Sequence, residues 1–111
     1  MPLRYTPPRG YRPTDAVALD ARHLLVLNRR LTLQDLFTAT VAIVELPETW
    51  APGAILKART LARLAPPLLA DNFEGMTVTR EEGRPVIWII SDDNHEFFQR
   101  TLLLKFALPA M

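Results

Sequence analysis

Thr14–Pro47 contains TDAVAL (14–19), HLLVLNRR (23–30) and ATVAIVELP (39–47), and Phe73–Pro109 contains FEGMTV (73–78), PVIWIISDDN (85–94) and RTLLLKFALP (100–109). The two stretches follow one pattern about 60 residues apart, and self-similarity at such a period marks a repeat architecture. Each copy opens on a short strand-like segment with one carboxylate, Asp15 or Glu74. A turn follows, then a run of branched apolar residues that ends in charged or polar ones. A loop leads to a last apolar strand closed by Pro47 or Pro109.

Working outward, enrichment in Val, Ile, Leu, Thr and Phe between Asp, Gly, Pro and Asn predicts strands at 15–20, 24–30, 39–46, 56–64, 73–80, 85–91 and 101–108. Asp20-Ala21-Arg22 and Glu81-Glu82-Gly83-Arg84 stand where hairpin turns belong, and Gly83 can take a positive φ at little cost. Leu33, Leu36 and Phe37 sit at helical spacing in 31–38, which reads equally as a short helix or an irregular loop. Residues 1–13 carry Pro2, Pro7, Pro8 and Pro13 and form an irregular lead-in. The first repeat then covers 14–65 and the second 66–111, with Pro66-Pro67 breaking the chain between them.

Leu24–Leu27 and Val86–Ile90 are unbroken apolar runs. A strand covered on one face alternates, so unbroken runs predict burial on both faces and sheets that stack face to face. The last strand does alternate, with Lys105 on the side that meets water. The fold expected is all-β, with antiparallel four-stranded β-propeller blades in an incomplete set of about two. Propellers close with about four to eight blades. Large apolar faces left uncovered find a partner. The expected partners are therefore the remaining blades of a longer chain, of which this is the C-terminal end, or a second copy.

Thirteen basic against twelve acidic residues leave a net charge of +1, without the clustered basic face of a nucleic-acid binder. No cysteine is present, which excludes a disulfide scaffold and a thiolate metal site. No apolar run approaches the ~20 residues that cross a bilayer as a helix. MPLRYTPPRGYRP has no apolar core and does not read as a signal peptide, so the expectation is either a cytosolic protein or a piece of a longer one.

DNFEGMTV (71–78), ISDDN (90–94) and QRTLLLKF (99–106), with YRPTDAVAL (11–19), LLVLNRR (24–30) and PGAILKARTLARLAPPL (52–68), resemble the C-terminal part of the phytase-like family, known as "esterase-like activity of phytase". The resemblance runs from about Tyr11 to Leu108. It implies part of a longer bacterial β-propeller, frequently exported to the periplasm or beyond, and an ester-hydrolysing context. A fold does not decide a reaction, so the residues are read for themselves.

In a propeller the first strand of each blade lines the channel, where Asp15 and Glu74 would converge. Several oxygens of this kind suit calcium or another divalent cation. The alternative is that each carboxylate caps a neighbouring blade's backbone or pairs with an arginine. Asp92-Asp93-Asn94, at the end of a buried strand, reads as a cation site, as a general base if one carboxyl is raised by its neighbour, or as an Asx-rich loop satisfying its own backbone. Asn28-Arg29-Arg30 holds the corresponding place in the first copy, so Arg29 and Arg30 would pair across blades or bind an anionic substrate. Arg100 reads as a phosphate ligand or as a buried partner of Asp92 or Asp93. His95, directly after SDDN, reads as a base or substrate contact. His23 reads as a hairpin residue and Trp88 as core.

Ser91 is the only serine and lacks a GxSxG elbow, so no serine nucleophile or other catalytic residue is assigned and no organic cofactor is expected. Hydrolysis would need a metal-activated water or residues outside this chain. The competing expectation is a non-catalytic propeller module whose channel carboxylates are structural.

Overall fold

The computed structural model describes residues 3–32, 36–49, 51–64, 72–92 and 103–108. Within them the chain forms strands β1 (Arg12–Ala18), β2 (His23–Thr32), β3 (Leu36–Glu45), β4 (Lys57–Leu64), β5 (Asn72–Glu81), β6 (Arg84–Asp92) and β7 (Leu103–Ala107). They make two antiparallel meanders, a four-stranded sheet in the order β1-β2-β3-β4 and a three-stranded sheet in the order β5-β6-β7. The expected strands match these to within a few residues. Of 31–38, read as a short helix or a loop, the described residues 31–32 and 36–38 are strand, and 33–35 lie outside the described residues. Leu31 and Thr32 end β2, opposite Phe37 and Leu36 at the start of β3. The sheet hydrogen bonds available to those residues outweigh a helical preference one turn long.

Local chemistry explains the turns. At the β5–β6 hairpin both central residues have positive φ, 51° at Glu82 and 77° at Gly83. That is the turn whose twist matches the flanking strands. At the β1–β2 hairpin Asp20 Oδ1 accepts the Arg22 backbone N–H at 2.8 Å, an Asx turn. The Leu19 N–H closes the loop on the His23 carbonyl at 2.9 Å.

The two sheets pack through one apolar cluster that includes Leu25, Leu27, Val41 and Ile43 from the first and Met76, Ile87 and Ile89 from the second. Leu25, Leu27 and Ile89 are fully buried. The opposite face of the first sheet, with Val26, Ala42 and Val44, is buried as well. Its cover at the polar end is the N-terminal segment. There the Tyr5 hydroxyl donates to Asn28 Oδ1 at 3.0 Å and the Tyr11 ring stacks on Arg30, 4.9 Å from centroid to guanidinium. Arg4 extends this segment as a parallel bridge beside Ile55. Burial of β2 on both faces therefore agrees with its unbroken apolar run.

The run in β6 behaves differently. Val86, Ile87 and Ile89 are buried, whereas Trp88 is half-buried and Ile90 is 44% exposed. Trp88 lies on the outer face of the second sheet, where its Nε1 donates to Thr79 Oγ1 at 2.8 Å and the Lys105 ammonium sits 5.2 Å above the ring. It is not a core residue, because no described sheet lies on that side.

Both sheets carry a bulge at the same place. On β1 the register jumps between Pro13 and Asp15, and on β5 between Phe73 and Gly75. The last pair before each jump is Pro13 with Asn28 and Phe73 with Ser91. Asn28 and Ser91 are therefore equivalent, and both are buried. Counting back from them, Leu27 and Leu25 correspond to Ile90 and Trp88, while Val26 corresponds to Ile89. Leu25 and Leu27 face the second sheet, but their counterparts face away from the first. The sheets are stacked front to back, not related by a two-fold axis.

β5 lies against β1, β2 and β3, closest to β1. Toward β4 and β7 the sheets part, and an apolar cleft of about 220 Å³ opens between them.

The bulge at β5 needs a glycine. A Cβ on Gly75 would stand 2.8 Å from Ile90 Cγ2, closer than two carbons can sit, so the Ile90 side chain or the strand would have to shift. Gly75→Ala is expected to cost about 1–3 kcal/mol in urea unfolding. Glu82→Asn, placing a side chain that tolerates positive φ in the tight turn, is expected to gain about 0.5–1 kcal/mol in the same assay.

Candidate functional site

The bulges gather polar residues at one end of both sheets. Arg12 pairs with Arg29, Pro13 with Asn28, Asn72 with Asp92 and Phe73 with Ser91. A bulge interrupts a ladder and re-aims side chains, so this end is where the fold can present chemistry. Asp15 is the best-defined group there. Its Oδ1 accepts the Ala16 N–H at 2.8 Å, and its Oδ2 accepts the Met76 N–H at 2.7 Å across the sheet boundary. Met76 is on the outer edge of β5, where its N–H has no ladder partner. The carboxylate thus closes the edge of the second sheet with a charge-assisted hydrogen bond. At the other end of β5 the Arg80 guanidinium donates to the Leu19 carbonyl. The two contacts fasten β5 to β1 at both ends.

The register also places the paired carboxylates differently from the sequence expectation. Thr14 and Glu74 are the residues inserted at the two bulges, and Asp15 corresponds to Gly75. Asp15 and Glu74 are therefore one position out of step. Likewise Arg29, directly after Asn28, corresponds to Asp92, directly after Ser91. Glu74 and Asp92 hold backbone positions in β5 and β6, and their side chains are outside the described residues. Asp93, His95 and Arg100 fall wholly outside them. Among the described residues no group of three or more His, Cys, Asp or Glu side chains could hold a metal. Asp15, with both oxygens already accepting N–H groups, does not supply one alone.

Behind Asp15 lies a buried polar network that the strand pattern did not single out. Asn28 is fully buried, accepting from Tyr5 and donating from Nδ2 to Thr40 Oγ1 at 3.3 Å. Burial pushes the Tyr5 phenol above its usual pKa, and the bond to Asn28 offsets part of that rise. The Thr14 hydroxyl donates to the Leu27 carbonyl at 3.3 Å, beside the bulge. One signal for this network was legible. Both apolar runs, LLVL and VIWII, stop at a small polar residue, Asn28 or Ser91, at the same structural position. Arg30, half-buried against Tyr11, is anchored beside the network.

The opposite end carries a second polar group. His23 Nδ1 lies 2.9 Å from Asp20 Oδ1, in the hairpin expected for it. Glu45 and Lys57 continue this row across β3 and β4 beside a shallow depression of about 170 Å³. Asp20 is held below the usual carboxylate range, first by the Arg22 backbone N–H and then by His23.

Two measurements follow. Asp15→Ala leaves the part-buried Met76 N–H without its acceptor and is expected to cost about 1–3 kcal/mol in urea unfolding, with Asp15→Asn costing less because one acceptor oxygen remains. A carboxylate whose folded pKa is depressed stabilises the fold above its unfolded pKa, about 4, and loses that contribution as pH falls through the lower folded value. Asp20→Asn is therefore expected to flatten the acid limb of the stability–pH curve below about pH 4, read by urea titration.

No curated protein and no solved structure matches this chain. A family model does, that of the phytase-like proteins described as "esterase-like activity of phytase", over residues 2–95. That span takes in β1 to β6 with both bulges, the Asp15 tie and the Asn28 network, and on it the chain belongs to the phytase-like family.

Proposed function

We propose that the two sheets are adjoining blades near the C-terminal end of a larger β-propeller that hydrolyses phosphate or carboxylic esters. The front-to-back stacking carries this reading. A stack in which every sheet presents the same face forward repeats without limit until it closes on itself, as blades do around an axis. The wedge between the sheets, narrow at β1 and β5 and wide at β4 and β7, has the taper such closure needs. Membership of the phytase-like family supplies the ester-hydrolysing context.

In this reading the reacting groups collect at the bulged end of the strands. Glu74, Asp92 and Asp93 are the carboxylates proposed to hold calcium or another divalent cation, which would polarise the ester and lower the pKa of an attacking water. Arg29, Arg30, Arg100 and His95 are proposed to receive the ester's anionic portion, arginine being suited to paired contacts with phosphate. Asp15 belongs to the framework, since Met76 and Ala16 occupy its oxygens.

That same bond favours a second reading, a binding or scaffold propeller whose channel-side carboxylates are structural. The two separate in assays of the propeller containing all its blades on p-nitrophenyl esters and on phytate, with calcium and with chelator. Calcium-dependent turnover that falls on Glu74→Gln is the result expected of the hydrolase, and its absence on both substrates leaves the scaffold. The 111-residue chain alone is expected to be inactive, because a site around a shared axis needs the other blades.

A further inference from the structure

Residues 3–11 lie across the outer face of the first sheet, and the described contacts hold them at two places. At one, the Arg4 N–H donates to the Ala54 carbonyl and the Arg4 carbonyl accepts the Leu56 N–H, both at 2.8 Å. At the other, Tyr5 is bonded to Asn28 and Tyr11 is stacked on Arg30. A turn closed by the Tyr11 N–H on the Pro8 carbonyl at 2.9 Å, with Gly10 at a φ of 84°, brings the segment over Arg30. Lys57, next to the first anchor, pairs with Glu45, and Asn28, at the second, pairs with Thr40. Val26 and Ala42, paired with each other, lie between the two.

This grip is weaker than the one between the sheets. Leu3, Tyr5 and Pro7 are half-buried and alternate with exposed Arg4 and Thr6, and none of residues 3–11 is fully buried. The sheets, in contrast, share a core in which Leu25, Leu27 and Ile89 are completely enclosed. Segments with few buried apolar groups open at a lower free energy than the core they cover. Closure also leaves a polar atom dry. Thr38, opposite Arg30 on the covered face, is 1% exposed, and its Oγ1 has no hydrogen-bond partner among the described residues. A buried hydroxyl in that state is penalised, and opening would let water reach it.

We propose that residues 3–11 are a strap that opens and closes as a unit while the two sheets stay packed. Tyr5 and Tyr11 latch it, and the dry Thr38 hydroxyl pushes toward the open state. Opening uncovers Val26 and Ala42 and releases Asn28 and Arg30 at the bulged end of the first sheet. That release bears on the ester site only if the hydrolase reading holds, whereas the opening itself does not depend on it.

The full chain has no cysteine, so single substitutions can report on each face. Ala42→Cys places a thiol under the strap, and Ala39→Cys places one in the core between the sheets, on the same strand. Alkylation by iodoacetamide, followed by mass, is expected to be about 100-fold faster or more for the Ala42→Cys variant, with little dependence on low urea. Alkylation of the Ala39→Cys variant is expected to rise with urea as steeply as global unfolding does. Tyr5→Phe, which leaves Asn28 Oδ1 without its donor in the closed state, is expected to speed alkylation in the Ala42→Cys background about tenfold. Thr38→Val, which removes the dry hydroxyl at constant shape, is expected to slow it about fivefold. Amide exchange at Leu56 in the unsubstituted chain repeats the comparison without a thiol, and the same shallow urea dependence is expected there. Equal rates and urea slopes for the two thiols, a Leu56 slope equal to that of global unfolding, no acceleration by Tyr5→Phe, or no slowing by Thr38→Val would each overturn the proposal. Ester hydrolysis is not read, so a strap that fails to open leaves the hydrolase reading standing.

Discussion

A sheet with apolar side chains on both faces must be covered on both, and this constraint organises the whole molecule. The first sheet meets it twice, with the second sheet on one side and the Tyr5–Tyr11 segment helping to cover the other. Among the described residues the second sheet is covered by another sheet on its inner face alone. Its inner face is sealed by Leu25, Leu27, Val41 and Ile43, and its outer face ends in Ile90 at 44% and Leu103 at 62% exposure. Burial is worth roughly 25 cal/mol per Å² of apolar area, so such positions are strong sites for further packing.

Packing by area is not directional, and polar contacts supply the direction. The Asp15 carboxylate and the Arg80 guanidinium each reach a backbone group of the neighbouring sheet. They hold β5 beside β1, and the sheets part elsewhere. Asn28 adds specificity from within, because a buried amide tolerates only the register in which Tyr5 and Thr40 meet it. The bulges make room for these groups. With Thr14 inserted, Asp15 pairs with Leu27 in its own ladder while its side chain serves the next sheet.

The candidate site follows from the same devices. Glu74 and Asp92 are brought to one strand end by the β5–β6 register, and Arg12, Arg29 and Arg30 reach the corresponding end of the first sheet. Acidic residue types thus stand at one strand end and basic ones at the equivalent end of the other sheet. The framework around them is fixed where Tyr5, Asn28 and Asp15 are hydrogen-bonded.

The sequence alone determined the strands and their order, because period and turn chemistry are local. TDAVAL, HLLVLNRR and PVIWIISDDN announced their strands, and Gly83 its turn. The family was also legible, in DNFEG and SDDN, both inside the matched span. Local pattern could not show that the Val86–Ile90 run leaves Trp88 half-buried and Ile90 exposed, since cover is supplied by other parts of the chain. Nor could it show that Asp15 aligns with Gly75 and not with Glu74, because a bulge shifts register by one without changing composition. Only the tertiary structure decided which carboxylate ties the sheets together, which aromatic faces outward and where the cleft beside β7 opens, since each depends on atoms far apart in sequence meeting at a few ångströms.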